Sequence, residues 1–143
     1  MDSIRFTTSY LDRGAFNLPD VLKRAKTVLA DVDFDTLVGT GFSGSMVIPA
    51  MAMRLRKKYV LIRKETDDSH HGRGLLVGDL GKRWIFVDDF ISGGGTRKRV
   101  IEKVKTFSEE YWAGPFETTY VGDYLYVSYD EDMKPGVYNP AAV

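Results

Sequence analysis

Residues 84–96 read Trp-Ile-Phe-Val-Asp-Asp-Phe-Ile-Ser-Gly-Gly-Gly-Thr, an apolar run that ends in two adjacent acids and passes into a glycine-rich, hydroxyl-flanked loop. A continuous apolar run of this length fits a strand buried on both faces of a parallel sheet. The pattern after Thr96 is of another kind: Val100, Ile101, Val104 and Phe107 fall at helical spacing. The stretch therefore predicts a strand, a tight loop and a helix in succession. Asp88 and Asp89 stand at the carboxyl end of the strand, where open α/β sheets bind their ligands.

The same alternation extends in both directions. Upstream, Asn17 and Pro19 predict a helix start, and Val21, Leu22, Ala25, Val28 and Leu29 form one apolar stripe. DTLVG (35–39) predicts a first strand and GTGFSG (39–44) a turn-rich loop. A helix is expected from about Ser45 through SMVIPAMAMRLRKK, with Pro49 in its first turn. Arg54, Arg56, Lys57 and Lys58 then lie at the end where the helix dipole favours cations. YVLIR (59–63) predicts the second strand and RWIFVD (83–88) the third, separated by a polar, glycine-punctuated segment. TTYVGDYLYVSYD (118–130) alternates and predicts a last strand on which Tyr120, Tyr124 and Tyr126 share a face, as packing residues or as a platform for a base. Strands alternating with helices imply an α/β fold, a mostly parallel sheet flanked by helices.

The chain has 143 residues, enough for one domain over residues 1–143, with 43% hydrophobic and 28% charged residues, as in ordinary globular proteins. Twenty basic residues balance twenty acidic ones, which disfavours a nucleic-acid partner. The absence of cysteine removes disulfides, thiolate metal sites and thiol nucleophiles. The N-terminus has no basic start with an apolar core, and no apolar run reaches membrane-spanning length, so a cytoplasmic protein without a membrane partner is expected.

The loop chemistry points to a sugar phosphate. Gly93, Gly94 and Gly95 let backbone N–H groups approach an anion, the following helix N-terminus adds partial positive charge, and Ser92 and Thr96 offer hydroxyl donors. Carboxylates cannot bind that phosphate, so Asp88 and Asp89 must address hydroxyls or a bridging Mg²⁺. Arg97, Lys98 and Arg99 have the wrong sign for a helix start, a conflict relieved by a bound anion or by exposure to solvent.

FVDDFISGGGT resembles the signature of the type I phosphoribosyltransferases, in which two acids and a Ser/Thr-x-Gly-Gly-Thr loop hold 5-phosphoribosyl-1-pyrophosphate (PRPP). The resemblance implies that Ser92, Gly93, Gly94, Gly95 and Thr96 bind the 5′-phosphate, and that Asp88 and Asp89 act as catalytic residues contacting ribose and, through water, Mg²⁺. It further implies that Thr40, Gly41, Phe42, Ser43 and Gly44, with Arg63 and the catalytic Lys64, serve pyrophosphate. Arg63-Lys64-Glu65 and His71-Gly72 match the RKE-x-K-x-HG segment of the orotate branch, which makes His71 and Arg73 flexible-loop residues. Residues 66–70, TDDSH, run two longer than that pattern and lack its lysine, while DDxxSxGGT is closer to the purine-type branches.

The implied protein is a phosphoribosyltransferase of nucleotide metabolism with a reduced hood over its core. It would transfer ribose 5-phosphate to a nucleobase-type nitrogen with Mg²⁺ as cofactor, as a homodimer in the manner common to the family. The alternative is a non-catalytic PRPP or nucleotide sensor on the same fold. A ligase-like or hydrolytic use of the pocket is a third reading. Gly39, Gly41 and Gly44 also spell the GxGxxG dinucleotide fingerprint, but the second strand ends in Arg63 and Lys64 where that motif wants an acid. His70 and His71 lack a third ligand at metal-site spacing.

Overall fold

The computed structural model describes residues 3–4, 17–63, 76–89, 94–126 and 137–138. Among the described residues three helices, α1 (Leu18–Val28), α2 (Gly41–Leu55) and α3 (Gly95–Glu109), accompany six strands. The strands are β1 (Thr36–Thr40), β2 (Lys58–Ile62), β3 (Leu76–Gly78), β4 (Arg83–Asp88), β5 (Thr119–Leu125) and β6 (Val137–Tyr138). They form one sheet in the order β3-β2-β1-β4-β5-β6, in which β2, β1, β4 and β5 run parallel. The outer strands β3 and β6 are antiparallel to their neighbours. Neither edge strand is apparent from the apolar pattern, because three residues and two residues are too short to show an alternation. Among the described residues no helix is long and apolar enough to cross a membrane.

Strand β4 shows why the central strands read as unbroken apolar runs. Trp84 and Phe86 pack on one face with Val38, Val60, Ile62, Val100 and Val104, beneath α3. Ile85 and Val87 pack on the other with Leu37, Val47, Ile48 and Met51, beneath α1 and α2. Each face has its own helical cover, so every position along the strand is inside. The expected stripe of α1 is observed for Val21, Ala25 and Leu29, whereas Val28 lies at its margin and is exposed. Asn17 precedes α1 as expected but makes no side-chain cap bond.

Helix α2 departs from expectation at its start. It begins at Gly41, directly after the strand, so residues 41–44 form its first turn and Pro49 lies in its interior. Gly41 makes this possible by taking a φ of 70°, which turns the chain from strand to helix without a loop. The proline forgoes one intrahelical bond, and the closely packed face of Gly44, Val47, Ile48, Met51 and Ala52 offsets that loss.

The glycines of the GxGxxG pattern have a packing explanation here. A Cβ on Gly39 would stand 2.2 Å from Ile48 Cδ1 and 2.9 Å from the Val87 carbonyl, and one on Gly44 would stand 3.3 Å from the Gly39 backbone. Strand β1 and helix α2 touch where they lack side chains. Gly39→Ala is therefore expected to cost about 1–3 kcal/mol through overpacking, read as a lower denaturant midpoint at unchanged m-value.

The three tyrosines do not share a face. Trp84 pairs with Tyr120 but Ile85 pairs with Gly122, so Val121 is an extra residue that shifts the register of β5. Tyr120 consequently packs beside Trp84, with ring centroids 5.0 Å apart, while Tyr124 and Tyr126 are buried beneath α1 and α2. Burial of Tyr124 pushes its phenol up to about 12. A bulge moves every following side chain to the opposite face, which strict alternation cannot anticipate.

Candidate active site

The chain leaves β1 through α2 toward β2 on one side and leaves β4 through α3 toward β5 on the other. The two neighbouring strands diverge at their carboxyl ends, which is where an open α/β sheet forms a ligand crevice. Thr40 to Gly44 lie at the end of β1, and Asp88 and Asp89 at the end of β4.

These two segments meet. Ser43 donates its hydroxyl to Asp88 Oδ1 at 2.9 Å, and the Asp89 backbone N–H donates to the same oxygen at 2.8 Å. Tyr126 holds the junction from the next strand: its hydroxyl donates to the Ser43 carbonyl at 2.8 Å and its N–H to the Asp88 carbonyl at 3.0 Å. Thr40 is turned away, donating its hydroxyl to the Ile62 carbonyl at 2.5 Å. Phe42 projects into solvent, 77% exposed.

Asp88 is partly buried and Asp89 is 5% exposed. Burial, reinforced by the hydrogen bond and negative charge of Asp89, raises the Asp88 carboxyl from 3.8 to about 7. An acid with a raised folded-state pKa contributes its stability while protonated, fully below its unfolded value and progressively less as pH rises through the folded one. In the metal-free protein the thermal midpoint should thus fall between pH 5 and pH 8 by the equivalent of about 2 kcal/mol after allowance for solvent screening. Asp88→Asn should flatten that dependence, as followed by melting across the pH range.

At the start of α3, Gly94 takes the N-cap position with φ 76°, a left-handed conformation that suits glycine. The first turn of α3 contains no acid, and its leading N–H groups have no intrahelical acceptor. Arg99 donates to the Thr96 hydroxyl at 3.4 Å. The expectation for the basic run is corrected at Arg97, which points not to solvent but to a buried carboxylate. Its guanidinium donates to Asp123 Oδ2 at 2.7 Å. Asp123, on β5, is completely buried, and its other oxygen accepts the Tyr120 hydroxyl. The pairing raises the Arg97 pKa further, chiefly through the Asp123 hydrogen bond, while burial and Asp123 raise that of Tyr120.

Ser92 and Gly93 of the loop, with Lys64, His71 and Arg73, lie outside the described residues; Arg63 follows β2 and is exposed. Asp123 is not anticipated as a site residue, and Tyr126 is expected only as a packing residue or part of a platform for a base, not as the partner of Ser43 and Asp88. A lone acid in the otherwise apolar YVGDYLY was the available signal for the first, and Tyr126 gave none beyond its position one strand from the acids.

Among the described residues no three acids or histidines cluster. Mg²⁺ does not require such a cage, because it keeps several waters and is held through one or two carboxylates together with substrate phosphates. The adjacent Asp88 and Asp89 fit that mode of binding.

The central parallel strands with helices on both faces, and the acid pair after β4 bonded to the start of α2, are those of a type I phosphoribosyltransferase fold. Named proteins agree with this class. The chain is 32% identical to the orotate phosphoribosyltransferase of Methanospirillum hungatei over 104 residues, covering 70% of this chain and 60% of that one. It is 31% identical to the adenine phosphoribosyltransferase of Pseudothermotoga lettingae over 103 residues, covering 62% and 60% respectively. The solved orotate phosphoribosyltransferase of Mycobacterium tuberculosis superposes with a TM-score of 0.55 at 15% identity, over 79% of this chain and 63% of that one. No family model matches the sequence. The resemblance to the phosphoribosyltransferases, with its partly orotate-like character, is borne out, and the chain spans 60% of the length of these two curated relatives.

Proposed function

We propose that this chain is a phosphoribosyltransferase that binds PRPP with Mg²⁺ and passes ribose 5-phosphate to a nitrogen of a nucleobase-like acceptor, releasing pyrophosphate. The observation that carries this reading is the bond from Ser43 to Asp88, which joins the loop after β1 to the acids after β4. A ligand with an anionic group at each end and hydroxyls between them matches such a crevice. Asp88 and Asp89 would accept hydrogen bonds from ribose hydroxyls, and the N–H groups of Gly95 and Thr96 would face the 5′-phosphate. The backbone of residues 41–44 would face pyrophosphate.

In the reaction the C1′–O bond to pyrophosphate breaks with its electron pair leaving on oxygen, the acceptor nitrogen forms the new bond to C1′ with its lone pair, and any proton that nitrogen carried passes to water. Mg²⁺ held through Asp88 and Asp89 would, when bound, neutralise charge on the pyrophosphate. Positive charge develops on the sugar as pyrophosphate leaves, and fixed carboxylates aimed at it stabilise that state. The relatives are named for orotate and for adenine, which makes these two bases the first acceptors to test.

The test is pyrophosphate release from PRPP and Mg²⁺ in the presence of orotate, uracil, adenine, hypoxanthine or nicotinamide in turn. Release that depends on one base is expected. PRPP binding without release on any base would replace the transferase with a binding module, the role that TDDSH in place of a lysine-bearing loop would suit.

A further inference from the structure

Arg97 and Asp123 are a costly pair to bury in this position. Asp123 is fully buried on a sheet strand, and the Arg97 side chain is only 17% exposed. Hydrophobic residues of similar size commonly give equal or greater stability than a buried ion pair, so stability alone does not account for it. Three observations indicate where the guanidinium is aimed. Arg97 is the third residue of α3, in the first turn of the helix that opens from the glycine loop. Its Nη1 is fixed on Asp123, while its Nη2 lies 3.7 Å from the point where a Cβ on Gly94 would stand. Tyr120, packed against Trp84, occupies the second oxygen of Asp123 and so leaves the carboxylate one orientation.

A guanidinium is a planar fork with donors on more than one edge, so it can hold a carboxylate with one nitrogen and present another to an anion. We propose that Asp123 is a positioning residue that acts through Arg97, holding its guanidinium against Gly94 so that the phosphate of a phosphorylated ribose meets a fixed cation at the start of α3. Lysine could not serve as well, since a single ammonium cannot make the planar two-edged contact. The inference rests on the proposed PRPP site and adds to it a residue outside the loop motif.

The experiment titrates the protein by calorimetry with ribose 5-phosphate, which occupies only the phosphate end, and separately with Mg²⁺-pyrophosphate, which occupies the other. The variant is Arg97→Met/Asp123→Leu, which replaces the ion pair with apolar side chains and is expected to stay folded, its main loss being the acceptor of the Tyr120 hydroxyl. Ribose 5-phosphate affinity should fall about 10- to 100-fold, the size of one lost charge-assisted hydrogen bond, with pyrophosphate affinity unchanged. Unchanged affinity for ribose 5-phosphate would overturn the proposal and leave the pair a structural one. Equal weakening of both ligands would overturn it as well. Should the double variant fail to fold, Arg97→Lys with Asp123 intact is expected to show the same selective loss, and wild-type affinity there would overturn the proposal. A wild-type protein that binds neither ligand would instead remove the PRPP reading itself.

Discussion

A protein carrying Asp88→Asn and Asp89→Asn together is expected to remain folded and to lose PRPP affinity in Mg²⁺ by about 100-fold or more, the effect of removing two buried charge partners from one ligand. Asparagine retains a carbonyl oxygen that can accept the bonds Asp88 takes from Ser43 and from the Asp89 N–H. The cross-link between the two loops is thus preserved in form. The charge that would attract hydrated Mg²⁺ is lost, along with two anionic acceptors for ribose hydroxyls. Unfolding should be no easier in the Asp88→Asn single variant at pH 8, because the carboxyl it replaces is held near 7 by burial and by Asp89. Calorimetric titration alongside a thermal melt separates the two effects.

Asp123→Ala is the second large expectation, and its effect is on stability. Removing one partner of a buried pair strands the other charge, which costs about 3–5 kcal/mol. Here the change would leave the Arg97 guanidinium without its carboxylate and the Tyr120 hydroxyl without its acceptor in a desolvated position. For a chain of this size the loss corresponds to a midpoint lowered by about 10–20 °C. The Arg83–Asp33 pair provides the contrast. It spans 3.3 Å with side chains 44% and 88% exposed, and Asp33→Ala should change stability by less than about 0.5 kcal/mol. Similar losses for the two variants, measured by denaturant unfolding, would contradict the role given to burial.

Particular residues show how far the sequence could be read. Strand β4 was predicted over its observed residues because a strand buried on both faces has an unbroken apolar signal. The start of α2 was placed four residues late, since glycine-rich segments conventionally signal loops. At Gly41 the glycine instead makes a one-residue turn into a helix. Edge strands β3 and β6 owe their existence to hydrogen bonding with a neighbour, which no periodicity within two or three residues can report.

The candidate site was legible where its chemistry is local in sequence. Asp88, Asp89 and Gly94 to Thr96 come within nine residues of one another and were named together. The partners supplied by other elements were not. Ser43 was assigned to pyrophosphate and proves to hold Asp88 across 45 positions of chain. Arg97 appeared to conflict with its helix, and the answer was a carboxylate on β5, 26 positions away. Side-chain pairs of that separation are fixed by sheet order and register, and the bulge at Val121 shows how one extra residue rearranges them.

The central claim is that the crevice between β1 and β4 holds a phosphorylated ribose. Calorimetric titration of the wild-type chain and of the Asp88→Asn/Asp89→Asn variant with PRPP in Mg²⁺ tests it most directly. Saturable binding to the wild type, lost in a variant that melts normally, is the predicted result. Equal binding to both proteins, or none to either, would contradict it.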